Sequence, residues 1–222
     1  MSYITDNILR IKSELPAGVR LLAATKTRSW AAVREAVEAG VDACGENRVQ
    51  EMTFKRKEDA YAGAPLHFIG HLQKNKLKEV VGVCDLIESV DSLELLRLID
   101  ARAKALGIVQ DVLLEINIGR EAAKTGFDPD ALPGLPEVLA GFSAVRARGL
   151  MAIPPVSTVI GGNLSYFLAM YQNYVDFMRK TGDNSGMGIL SMGMSADYLA
   201  AARAGATLVR VGSAIFGART AS

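Results

Sequence analysis

A lysine directly follows a short apolar run in "LLAATKTRSW", residues 21–30, although an ammonium is costly at the end of a segment headed into a core. Residue parity groups Lys26 with Arg20, Leu22 and Ala24 on one face of that run. Partial burial would disfavour the charged form and supply the neutral amine that condenses with an aldehyde. A salt-bridged lysine at a rim accounts for the same position. Two turns near the other end of the chain bear on the choice. "SMGMSADYLAAARAG" (191–205) and "VRVGSAIFGAR" (209–219) place Gly193 with Ser195, and Gly212 with Ser213, between a strand pattern and a helix pattern. Small residues there let backbone N–H groups approach an anion, and hydroxyls add donors. Either turn alone is also what an ordinary connection looks like. Both together, opposite a strand-end lysine, suit a ligand that carries a phosphate and an aldehyde.

Arg210, inside "TLVRVG", is the third chemical element. It is too costly to bury unpaired, so it should have a fixed partner. Facing a pyridine nitrogen, a permanently charged guanidinium would keep that nitrogen unprotonated and make the ring a poor electron sink.

The elements that position these residues are read from alternating patterns. Residues 5–15 form an amphipathic helix, with Ile4, Ile8, Leu9, Ile11 and Leu15 at helical spacing, and "PAG" at 16–18 stops it. Strands are predicted at 19–25, 42–46, 66–70, 86–90, 111–118, 147–153, 189–193 and 207–213. Helices such as "SWAAVREAVEAG", "SLELLRLIDARAKALG" and "SADYLAAARAG" lie between them, opening at Ser and closing at Gly. The helix of the last of these is expected to begin near Ser195. Eight strands, each but the last followed by a helix, give an α/β fold, a (β/α)8 TIM barrel in one domain over residues 1–222, with an extra N-terminal helix. That helix is expected to cover the face left bare by the missing eighth one. In such a barrel chemistry sits at the C-terminal strand ends, where Lys26 falls. The stretch "IPPVSTVIGGNLS" (153–165) is the expected mobile loop.

Composition narrows the classes. Of 222 residues, 50% are hydrophobic and 22% charged, with a net charge of +1, so a sizeable core is possible and no footprint for nucleic acid or an anionic membrane is expected. The basic runs at 55–57 and 74–78 read as solvated helix faces. Two isolated cysteines and two histidines give no zinc-site spacing; they suit a reducing, cytoplasmic location, with both thiols packed as small hydrophobes. No signal layout and no membrane-length apolar window is found.

The motifs "ATKTR", "GENRVQEM", "HFIGHLQKNK", "LLEINI", "KTG", "RGLMAI", "LSMGMSAD" and "VRVGSAIFGAR" occur in order between about residues 20 and 219. Together they resemble the pyridoxal phosphate homeostasis proteins. The resemblance implies a fold-type III barrel, like the N-terminal domain of alanine racemase standing alone, that binds pyridoxal 5′-phosphate. It assigns the covalent aldimine to Lys26 and the ring nitrogen to Arg210. Ser195, Gly212 and Ser213 would hold the phosphate, Met194 would contribute backbone at the same turn, and Asn47 of the "GEN" motif would lie beside the cofactor. Ser191 matches as well. The loop at 153–165 lies in a region where the family varies. His71 stands where many members carry another residue, and it is expected to be a satisfied structural histidine. Lys124 of "KTG" is kept as a secondary contact.

The resemblance implies a carrier and regulator that holds the vitamer, limits free aldehyde, maintains B6 and linked amino-acid pools and passes the cofactor to apo-enzymes. The alternative is racemase-like catalysis, which needs bases on both faces of an α-carbon; resembling racemases bring the second, a tyrosine, from another domain that this chain is expected to lack. Tyr3, Tyr61, Tyr166, Tyr171, Tyr174 and Tyr198 all fall in or beside helical patterns, where packing explains them. With one base and a weak electron sink, the carrier is the favoured reading, as a monomer. A Schiff-base aldolase using Lys26 is the third possibility.

Overall fold

The strand-length apolar runs are bounded by turn residues and separated by amphipathic segments, so each strand can be buried on both faces only if helices cover the outside and side chains fill the inside. The computed structural model, which describes residues 2–157, 159, 161–181 and 186–218, has that arrangement. In chain order the elements begin with α1 (Tyr3–Glu14), β1 (Arg20–Ala24), α2 (Trp30–Glu38), β2 (Ala43–Glu46), α3 (Val49–Lys57) and β3 (Leu66–Phe68). There follow α4 (Leu77–Val80), β4 (Leu86–Val90), α5 (Leu93–Leu106), β5 (Gln110–Ile116), α6 (Leu135–Leu139) and β6 (Val145–Ala152). The chain continues with α7 (Leu164–Thr181), β7 (Ile189–Ser191), α8 (Tyr198–Arg203), β8 (Leu208–Val211) and α9 (Ser213–Phe216). The strands are parallel and close in sequence order, β8 pairing back onto β1.

All eight expected strands are present. Their inner faces meet in an apolar layer: Leu22, Ala43, Ile69, Leu86, Leu113, Met151, Ile189 and Leu208 pack together, one from each strand or its immediate end. A larger cluster fills the space between the sheet and the helices, including Ile8 and Ile11 of α1. β6 carries one extra residue at Arg148, where the register with β5 shifts. Gly149 closes that bulge at φ +146°, and a Cβ there would stand 1.8 Å from the Ile189 carbonyl oxygen.

Three details differ from expectation. β8 is followed by a helix after all, the four-residue α9, and α1 reaches it through Asn7 Nδ2, which donates to the Ile215 carbonyl at 3.0 Å. α8 begins at Tyr198, three residues after Ser195. The run at 55–57 is not uniformly solvated: Arg56 and Lys57 are exposed, whereas Lys55 is only 3% exposed. Of the expected loop at 153–165, residues 158 and 160 lie outside the described ones. No helix among the described residues is long and apolar enough to cross a membrane.

Candidate functional site

Side chains two positions beyond the apolar layer point to the same face, one step closer to the C-terminal mouth. On β4, β5, β7 and β8 those positions hold Glu88, Glu115, Ser191 and Arg210. The polar floor of the mouth is therefore written into strand parity. Arg210 is 4% exposed, donating through Nη1 to the Ser191 hydroxyl at 2.7 Å and through Nη2 to the Ala152 carbonyl at 3.0 Å. Ser191 donates onward to Glu88 Oε2 at 2.6 Å, and His67 Nδ1 lies 2.6 Å from Glu88 Oε1. Burial alone would raise the Glu88 carboxyl. The hydrogen bond and charge of His67, the charge of Arg210 and the Ser191 hydroxyl outweigh it and hold Glu88 below the usual carboxylate range. Burial lowers the Arg210 guanidinium, opposed by the charges of Glu88, Glu115 and Asp197. The partner demanded of a buried arginine is thus present.

Glu115 is the other inward carboxylate. Burial raises it, the charge of Asp91 adds to the rise, and Arg210 and His71 oppose it. His71 is at the rim, 61% exposed at its side chain, with Nδ1 3.3 Å from Asp91 Oδ2, a partner of the kind expected for it.

Lys26 lies two residues past β1, half-buried. It lines a cavity of about 550 Å³ with Thr27, Asn47, Glu51, Gly70 and His71 among others. Asn47, one residue past β2, has its Oδ1 buried with no hydrogen-bond partner among the described residues. Gly70 is required beside it: a Cβ there would stand 2.2 Å from the Asn47 carbonyl oxygen.

The two glycine–serine turns meet each other. Ser195 Oγ accepts from the backbone N–H groups of Gly212, at 3.0 Å, and Ala214, at 3.2 Å. The serine hydroxyl occupies an acceptor position on which two amides converge. Gly212 also abuts the end of β1, since a Cβ on it would be 3.3 Å from the Ala24 carbonyl oxygen. Met194 is 40% exposed and its N–H donates to Asp197 Oδ1 at 2.7 Å, so Asp197 rather than Ser195 braces the start of α8. Ser213 is exposed at the first position of α9. Lys124 is paired with Glu121 and donates to the Pro154 carbonyl at 3.1 Å, on a cavity of about 450 Å³ that Met194 also lines.

The residues present fit a phosphorylated pyridine aldehyde. There is an amine at a strand end, an orphaned amide oxygen beside it, a fixed guanidinium on the strand paired with β1, and, two and four residues beyond that arginine, amides that converge on Ser195 Oγ. Reading the sequence missed Glu88, His67, Glu115 and the Glu46–Lys55 pair. The signal that could have found the first three is a charged or polar residue in step with the inward apolar positions of its strand.

The family described as alanine racemase, N-terminal domain, matches residues 1–220. Among curated proteins, the chain is 37% identical to the pyridoxal phosphate homeostasis protein of Pseudomonas aeruginosa, over 99% of this chain and 97% of that one. It is 40% identical to the protein of the same name from Aquifex aeolicus, over 90% and 87%. Among solved structures, PipY of Synechococcus elongatus with PLP bound superposes with a TM-score of 0.87 at 33% identity, covering 96% of this chain and all of that one. An alanine racemase of Clostridium difficile superposes at 0.76 with 19% identity over 57% of its own length, a likeness of fold alone.

Proposed function

The chain belongs to the family of pyridoxal phosphate homeostasis proteins, and from that premise we propose that it binds pyridoxal 5′-phosphate as a carrier and regulator rather than as an enzyme. The observation that supports this reading is the approach of Gly212 to the end of β1: the Ser195–Gly212–Ala214 turn, which we read as the phosphate end of the site, lies beside the segment that presents Lys26. Lys26 would hold the vitamer covalently through its aldehyde carbon. Ser195, Gly212, Ser213 and the Met194 backbone would hold the phosphate, Asn47 would lie against the ring, and Arg210, steadied by Ser191, would face the ring nitrogen. When bound, pyridoxal phosphate supplies a reactive aldehyde and a ring able to accept electron density.

The chain's own residues favour holding over turnover. A guanidinium facing the ring nitrogen keeps that nitrogen unprotonated and weakens the electron sink. Two of the tyrosines have their hydroxyls committed to carboxylates. Tyr61 is buried and donates to Glu46 at 2.9 Å, and burial followed by the Glu46 charge pushes its hydroxyl far above the ordinary range. Tyr198 donates to Glu14 of α1. Lys124, on the cavity that Met194 also lines, is kept as a secondary contact. We place the protein in the cytoplasm as a monomer that passes cofactor to apo-enzymes and so steadies vitamer and linked amino-acid pools. The free, buried state of Cys44 and Cys84 suits a reducing compartment.

The test compares absorbance of wild type and Lys26→Ala loaded with pyridoxal phosphate, maps the borohydride-reduced adduct, and follows transfer of bound cofactor to an apo-transaminase. The expected result is a yellow wild type, a colourless variant, reduction fixed at Lys26 and transfer to the acceptor. Turnover of alanine or serine far above that of free pyridoxal phosphate would overturn the carrier reading, and an adduct elsewhere would overturn the assignment of Lys26.

A further inference from the structure

Helix α3 presents Glu51 and Lys55 four residues apart, hence on one side, and that side faces the segment after β1. Lys55 Nζ donates to the Thr25 carbonyl at 2.7 Å and to Glu46 Oε1 at 2.7 Å. Glu46, fully buried, also accepts from the Thr25 hydroxyl at 2.6 Å. Glu51 Oε2 accepts from the Thr27 backbone N–H at 2.6 Å and lies 3.7 Å from Lys55 Nζ. The Thr25 carbonyl belongs to the peptide group before Lys26, and the Thr27 N–H to the peptide group after it. Both peptide groups flanking the lysine are therefore held by charged side chains of one helix.

Thr27 needs such a hold. Its φ is +64°, a left-handed conformation that a β-branched residue rarely adopts. It persists only where neighbours over-determine it. The Lys55 ammonium group is itself committed to buried Glu46 and the Thr25 carbonyl.

We propose that Glu51 and Lys55, backed by Glu46, are positioning residues: a two-point clamp that fixes the backbone on both sides of Lys26 and so aims its amine into the mouth. The proposal rests on the reading of Lys26 as the covalent anchor. In the step it serves, a C=N bond forms between Lys26 Nζ and the aldehyde carbon and one water leaves, with no change of oxidation state. Fixing the approach of the two atoms accelerates that step without strengthening the grip on the phosphate.

The test measures two quantities on the full chain: the rate of covalent capture of pyridoxal phosphate by stopped-flow absorbance, and the affinity for pyridoxine 5′-phosphate, which lacks the aldehyde. Wild type must capture first; if it does not, the proposed function fails and the clamp is not at issue. Glu51→Ala should slow capture by about tenfold or more while pyridoxine phosphate affinity holds, and Glu51→Gln, which keeps an acceptor for Thr27, should restore the rate. Lys55→Met combined with Glu46→Gln leaves no charge buried alone and should slow capture likewise. A smaller slowing in either arm, an equal loss of pyridoxine phosphate affinity, or a Gln variant as slow as Ala would overturn the clamp. Should the variants not fold, amide exchange in wild type decides. The Thr27 N–H, on an exposed residue, should be protected, and exchange at an open-loop rate would overturn the proposal.

Discussion

Arg210 and Glu88 are bridged rather than directly paired: Nη1 and Oε2 stand 3.9 Å apart, with the Ser191 hydroxyl hydrogen-bonded to both. A hydroxyl can accept from one ion and donate to the other, so three strands (β4, β7 and β8) are tied at one oxygen. The arrangement holds a desolvated cation without full charge contact, leaving the rest of the guanidinium fork to the Ala152 carbonyl and the mouth.

The pH dependence of stability should carry the mark of Glu88. Its folded value lies below that of an unfolded glutamate, so its stabilisation is complete above the ordinary carboxylate range, about 4.3, and is lost as pH falls through the folded value. Glu88→Gln should therefore flatten the acid limb of a stability curve. At neutral pH the variant should be less stable by about 3 kcal/mol, because Arg210 loses its nearest counter-charge. Urea midpoints from neutral pH downward check both, and an acid limb parallel to that of wild type would contradict the assignment.

The eight strands were legible because each is a buried apolar run with turn residues at both ends, a pattern that needs no tertiary knowledge. Lys26 and Arg210 were legible for the opposite reason: a charge inside or beside such a run is conspicuous. Lys55 was not. It sits in "VQEMTFKRK", where charges crowd every face, and only the position of Glu46 across the interface marks one of them as buried. The start of α8 was misplaced because Ser195 looks like a capping serine. Its hydroxyl is instead engaged by Gly212 and Ala214, on a turn that the local sequence does not reveal.

Both thiols should be silent in the native protein. Burial first, then the charge of Glu46 against that of Lys55, pushes Cys44 up to about 12. Burial and Asp85, opposed chiefly by Arg56, push Cys84 up to about 12 as well. The thiolate is the reactive form, so a disulfide-exchange reagent at mildly alkaline pH should titrate neither cysteine until denaturant is added, and both thereafter. Rapid native modification of either would contradict this burial.

Ser195→Ala separates two roles of one hydroxyl. Without ligand, two half-buried amides lose their acceptor, which should cost about 1–2 kcal/mol and lower the melting temperature by roughly 2–8 °C. Ser195 also belongs to the proposed phosphate grip, so affinity should fall as well. By linkage the ligand then stabilises the variant less than wild type, and the melting-temperature deficit should widen when ligand is added. Calorimetry with and without ligand reads both, and a deficit unchanged by saturating ligand would show that this hydroxyl has no part in holding the phosphate.

Gly70→Ala is the sharpest test of the mouth's geometry. A methyl group at that position meets backbone, the Asn47 carbonyl oxygen at 2.2 Å and Asn47 Cα at 2.6 Å, so no side-chain rotation relieves it. The strand ends of β2 and β3 must separate, which strains the Ser89 hydroxyl's hydrogen bond to the Gly70 carbonyl, 2.6 Å in length, and moves Asn47 off the cavity that Lys26 lines. Overpacking of this kind costs about 1–3 kcal/mol, little enough for the barrel to stay folded. Pyridoxal phosphate binding should fall well before stability does, because the displaced residue belongs to the site and the barrel core lies below it. Equilibrium dialysis alongside thermal unfolding distinguishes the two effects. A variant that binds like wild type would contradict the placement of Asn47 against the ring.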